Sequence, residues 1–96
     1  MSRPPRFKFR LYVAGGAQNS TRAVANLKEF CRTHTPGRCD IEVVDVFREP
    51  QRALADRVFM TPTLVKLSPA PVRRIVGTLS QTQTLLEAMG LEAVTA

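Results

Sequence analysis

The sequence predicts an α/β sandwich of order β-α-β-α-β-β-α around a mixed four-stranded sheet, and three observations predict it. A strand pattern, a helix pattern and a second strand pattern fall within about 40 residues, the signature of a parallel βαβ unit with a right-handed crossover. Two further β-prone runs, 63–67 and 72–76, are separated by only four residues, Ser68-Pro69-Ala70-Pro71, which reads as a hairpin. Thr61-Pro62-Thr63 then sets a proline immediately before the third strand.

Taken in order, Phe7, Phe9, Leu11 and Val13 alternate with Lys8, Arg10 and Tyr12, so residues 7–13 form a strand with its apolar side chains on one face. Small residues 14–17 break the pattern, and Asn19 or Ser20 is the expected N-cap. Ala23, Val24, Leu27, Phe30 and Cys31 recur at helical spacing, which predicts an amphipathic helix to about His34, stopped by Thr35-Pro36-Gly37. Ile41–Val46 is a β-branched strand. Pro50 suits the first turn of a short helix whose inner side carries Ala53, Leu54 and Val58. The two prolines of the hairpin joint must stand where no ladder hydrogen bond is needed. Ser80 caps a last helix with Leu85, Leu86 and Met89 as its buried stripe, and Gly90 ends it. This order is that of a thioredoxin-like sandwich, in which the proline before the third strand, here Pro62, is commonly cis. X–Pro bonds are the only ones where cis costs as little as about 0.5–1 kcal/mol.

A chain of 96 residues with 44% hydrophobic content supports one core and is too apolar for intrinsic disorder. It is expected to be a single domain over 1–96, with 1–6 and 91–96 flexible. No apolar run approaches the ~18 residues of a membrane span, and the start lacks the apolar stretch of a signal peptide. The expected location is therefore cytoplasmic, with Cys31 and Cys39 reduced. Fourteen Lys+Arg against eight Asp+Glu give a net charge of +6, which favours an acidic partner. The basic residues are scattered between Arg3 and Arg74 with no block of five, which excludes a basic nucleic-acid tail. Phe7 and Phe9 read as core, and no aromatic pair of the kind that stacks RNA bases is left for an exposed sheet face.

Catalytic signatures are missing where the fold would need them. Dithiol chemistry requires Cys-x-x-Cys at the start of the first helix, and residues 14–20 contain no sulfur. Cys31 and Cys39 stand eight residues apart, wrong for that motif and equally poor for zinc, so each reads as a structural thiol. His34, the single histidine, has no sequence partner and reads as a helix-end group. Gly15-Gly16 lies between a strand and a helix, but neither phosphate-loop pattern is completed, and a tight turn accounts for it. No catalytic, cofactor or metal site is expected.

Three blocks resemble the KaiB family of circadian clock proteins: LYVAGGAQNSTRA (Leu11–Ala23), VVDVFREPQRALADRV (Val43–Val58) and TPTLVKLSPAPVRRIVGTLS (Thr61–Ser80). The likeness runs from about residue 7 to residue 90, and the last block is the most specific. The resemblance implies a non-enzymatic adaptor that binds the ring-shaped ATPase KaiC and, in the full clock, captures KaiA and competes with an output kinase. It also implies a metamorphic C-terminal half: a thioredoxin-like packing that binds KaiC as a monomer, and a rearranged packing that forms dimers or tetramers. Basic residues at matching positions, Arg22, Arg57, Lys66, Arg73 and Arg74, are expected to meet an acidic KaiC-like surface, with Gln51 adding a hydrogen bond.

Pro62, Pro69 and Pro71 match family prolines, whereas Ala70 replaces the middle of a Pro-Pro-Pro run. Ala88 stands where the family often has Gly and Gly90 where it often has Asp. Ala over Gly inside a helix is worth about 1 kcal/mol, which favours the thioredoxin-like packing at rest. Cys39-Asp40-Ile41-Glu42 replaces a small residue and a Lys, and the acidic family tail gives way to Ala93-Val94-Thr95-Ala96. Both departures predict a KaiC partner without KaiA, in timing or stress adaptation. The alternatives are a KaiB-like module of a histidine kinase system and a glutaredoxin-like redox protein, the latter disfavoured by its missing Cys-x-x-Cys.

Overall fold

The computed structural model describes residues 6–91. Most of the two segments expected to be flexible, 1–6 and 91–96, lies outside them. Seven elements follow in the predicted order: β1 (Phe7–Val13), α1 (Gln18–His34), β2 (Cys39–Asp45), α2 (Pro50–Ala55), β3 (Thr63–Ser68), β4 (Arg73–Val76) and α3 (Thr82–Met89). The sheet order is β2-β1-β3-β4, with β1 parallel to β2 and both other pairings antiparallel. This is the thioredoxin-like arrangement.

Alternation along β1 decides the two sides of the sheet. Phe7, Phe9, Leu11 and Val13 join Ala23, Leu27 and Phe30 of α1, Leu64 of β3, and Leu85 and Met89 of α3 in the larger core. On the opposite side, Tyr12, Val44 and Val65 form a smaller core with Ala53 of α2 and Val58 behind it. Tyr12 is fully buried, so the face that carries Lys8 and Arg10 is solvated only in part.

Some local expectations shift. α1 begins at Gln18 behind Ala17, ahead of both expected caps. Ser20 is buried inside the helix, where its hydroxyl accepts the Ala14 N–H at 3.0 Å and so ties the turn after β1 to the helix. Leu54, expected inside, is exposed, because the six-residue α2 turns only Ala53 inward before it ends. Ser80 precedes α3 but Gln81 occupies its N-cap, and Leu86 is half-buried.

Two helices close in the same way with different residues. At the end of α3, Leu91 N–H reaches the Leu86 carbonyl at 2.8 Å and Gly90 takes a left-handed φ of 71°. At the end of α2, Val58 N–H reaches the Ala53 carbonyl at 2.8 Å and Arg57 N–H the Leu54 carbonyl at 3.0 Å. This is a Schellman closure, and its left-handed position holds Arg57, with φ 55°. Glycine adopts that conformation without steric cost, whereas a residue with a Cβ carries a cost of about 1–2 kcal/mol. The peptide bonds Thr61–Pro62, Ser68–Pro69 and Ala70–Pro71 are cis.

Candidate partner-binding site

The predicted basic residues do not form one cluster. Alternation along β3 and β4 places Lys66 and Arg73 on the α1/α3 side with Leu64 and Ile75, and Arg74 and Val76 on the α2 side with Val65. Lys66 is only 4% exposed, and burial, followed by the nearby charge of Arg73, lowers its amine pKa. It is therefore a core-lining residue, unlike exposed Arg73. Arg22 is exposed on α1, and Gln51 is exposed in the first turn of α2.

Arg57 and Arg74 do come together. Arg74 reaches across from β4 and donates to the Arg57 carbonyl at 3.2 Å and to the Asp56 carbonyl. Between them lies a shallow depression of about 170 Å³, whose apolar lining includes Phe59, Met60 and Val76. These three are 82%, 65% and 55% exposed, unusual for large apolar side chains that sit side by side. Leu54, on the outer side of α2, is also exposed. The result is an apolar patch with a basic rim on the α2 side of the sheet.

A polar network holds that patch in place. Tyr12 donates from its hydroxyl to the Asp56 carboxylate and lies 3.1 Å from the Arg52 carbonyl. Arg10 donates to Asp56 at 2.9 Å and to Glu42 at 2.9 Å, and Arg52 donates to the same Glu42 oxygen at 2.8 Å. The hydrogen bond from Tyr12, then that from Arg10, lowers the Asp56 pKa. Arg52, then Arg10, brings Glu42 down to about 2. The Tyr12 phenol moves up, chiefly through burial and secondarily through Asp56. Charge-assisted bonds of this kind are roughly twice as strong as neutral ones. They fasten a helix too short to be stable alone to β1 and β2.

Sequence reasoning missed Phe59, Met60, Val76 and Leu54 as surface groups, and Asp56 as the hub. Phe59-Met60 follows Val58 in an aperiodic stretch before Pro62, and that lack of periodicity was the available signal. Nothing in the spacing joins Arg10 to Asp56. The thiols are placed as expected of structural groups, Cys31 buried and Cys39 half-buried, and both pack into the same side of the larger core.

With this geometry established, comparison with known proteins is decisive. The KaiB domain family model matches residues 10–91. This chain belongs to the KaiB family. It is 37% identical over 89 residues to circadian clock protein KaiB3 of Synechocystis sp., covering 93% of this chain and 85% of that one. It is also 42% identical over 91 residues to the circadian clock oscillator protein KaiB of Prochlorococcus marinus strain SARG, covering 95% and 78%. Among solved structures, the N-terminal domain of Synechococcus elongatus SasA is similar with a TM-score of 0.76 at 19% identity, covering 100% of this chain and 94% of that one. Mitochondrial thioredoxin 3 of Saccharomyces cerevisiae follows the same fold, with a TM-score of 0.70 at 15% identity over 90% and 78% of the chains. Within the KaiB family, this chain is described in a thioredoxin-like packing, with residues 82–89 helical.

Proposed function

We propose that this KaiB-family chain is a non-enzymatic adaptor that docks onto a KaiC-type ring ATPase through its α2 side. In this reading Phe59, Met60 and Val76 supply the desolvated centre, and Arg57 and Arg74 meet acidic groups on the ATPase. Gln51 adds a hydrogen bond at the other end of α2, and Arg22 and Arg73 lie outside the central contact. The observation that carries the reading is Arg57 itself. It occupies a left-handed helix-end position that glycine fills at lower cost, beside an apolar patch left open to solvent. A strained backbone that presents a cation at the rim of an exposed patch is better explained by recognition than by stability.

The thioredoxin-like monomer is the binding form in this account. Ala88 within α3 and Gly90 in the left-handed position after it both favour the helix over a strand in that segment. KaiA capture at the β2 edge is not expected. Asp40 is paired with Arg6, and Glu42 with Arg10 and Arg52, so the edge presents neutralised acids instead of a free lysine. The adaptor would then serve timing or stress adaptation with KaiC alone, in the cytoplasm.

The test is size-exclusion chromatography with light scattering, using the purified chain with and without the KaiC homologue of the same organism plus ATP. A monomer that moves into a ring-sized complex supports the proposal. A resting tetramer contradicts the monomeric form, and no complex in any nucleotide state contradicts the adaptor function.

A further inference from the structure

The turn between α1 and β2 packs the two cysteines against the same core cluster. Thr35 is fully buried after the last turn of α1, and its hydroxyl bridges the two positions. It lies 3.3 Å from the Cys31 carbonyl and 2.8 Å from Cys39 Sγ. Cys31 is buried in the larger core, and half-buried Cys39 packs against the same cluster. The turn is fixed by Arg38 N–H on the Thr35 carbonyl at 3.0 Å and by Phe7 N–H on the Arg38 carbonyl at 2.7 Å. Neither thiol has a role in the α2-side contact proposed above.

We propose that Cys31 and Cys39 form a reversible oxidation site, in which a peroxide drives closure of an intramolecular disulfide between the end of α1 and the start of β2. Cys39, the more exposed sulfur, reacts first. Its thiolate attacks a peroxide oxygen, the O–O bond breaks, and the released hydroxide is protonated to water, leaving Cys39 as a sulfenic acid. The Cys39 side chain turns from Thr35 to Cys31, whose sulfur attacks the sulfenic sulfur. The S–O bond breaks, and the departing hydroxide takes the Cys31 proton as a second water. Two electrons and two protons leave the thiol pair, and an external thiol reverses the step. Burial, aided by the neighbouring Cys39, pushes the Cys31 thiol up to about 12. That shift keeps Cys31 a thiol that does not meet oxidant itself, so its attack depends on Cys39 bringing the sulfenic sulfur against it inside the fold.

The experiment titrates the reduced full-length chain with hydrogen peroxide, followed by thiol counting and tryptic peptide mapping without reductant. Trypsin cuts after Arg32 and Arg38, so the two cysteines fall on separate peptides joined only by the bond. Expected are loss of both thiols in parallel, a mass lower by two hydrogens, a Cys31–Cys39-linked peptide in the monomer, and full reversal by dithiothreitol. Cys31→Ser should instead accumulate a dimedone-reactive Cys39. Cys39 sulfinic acid beside a reduced Cys31 in the unaltered chain, a Cys39–Cys39 dimer, or no oxidation of either thiol would overturn the proposal. The map of the unaltered chain decides the matter even if Cys31→Ser does not fold.

Discussion

The two sides of the sheet are held by different physics. The α1/α3 side is a large, mainly apolar core, whose helices contribute Leu27, Phe30, Leu85 and Met89 against Phe7, Phe9 and Leu11. The α2 side has only a small apolar centre, and its six-residue helix depends on Tyr12, Asp56, Arg10, Glu42 and Arg52. The difference teaches where recognition can be built. A core held mainly by burial draws most of its large apolar side chains inward, whereas a helix fixed by a polar network can leave Leu54, Phe59 and Met60 outside.

That contrast can be broken by substitution. Leu27→Ala, at a fully buried site, should destabilise the chain by about 2–5 kcal/mol in urea unfolding, through lost burial plus a cavity. Asp56→Ala should cost about 1.5–3 kcal/mol, since it removes the acceptor of both Tyr12 and Arg10. Its signature should differ from that of Leu27→Ala, with amide exchange rising selectively over residues 50–58. Equal loosening of α1 would dissolve the distinction between the sides.

Acid sharpens the comparison. Glu42 and Asp56 have folded-state pKa values below their ordinary 4.5 and 3.8. The stability they confer is fully present above those values and is lost as pH falls toward about 2, the folded-state value of Glu42. Between pH 4.5 and 2, exchange at α2 should therefore rise before exchange at α1. Both carboxylates are partly solvated, so 0.5 M salt should weaken this network more than the larger core. The smallest effect belongs to the patch. Phe59→Ser should change stability by no more than about 0.5 kcal/mol while weakening partner binding. Arg57→Gly should leave the fold at least as stable, because the left-handed position suits glycine.

The element order was legible because it rests on local periodicity: β1 and α1 each bury one regular stripe. The second core was less so. Tyr12 alternates with Phe9 and Leu11 as an outward residue would, and only the passage of α2 across that side buries it. The site was half legible. Arg57 and Arg74 meet, but Lys66 is buried and Arg73 faces the other side, because strand alternation separates neighbours that the sequence places together. The link from Arg10 to Asp56 spans 46 residues and exists only once the sheet and α2 are assembled.

The most direct test is hydrogen–deuterium exchange of the chain alone and in complex with the KaiC homologue and ATP. The account predicts new protection over residues 54–60 and 74–76, with α1 and α3 unchanged. Protection confined to α1 or α3, with the Phe59–Met60 turn exchanging as in the free chain, would contradict it.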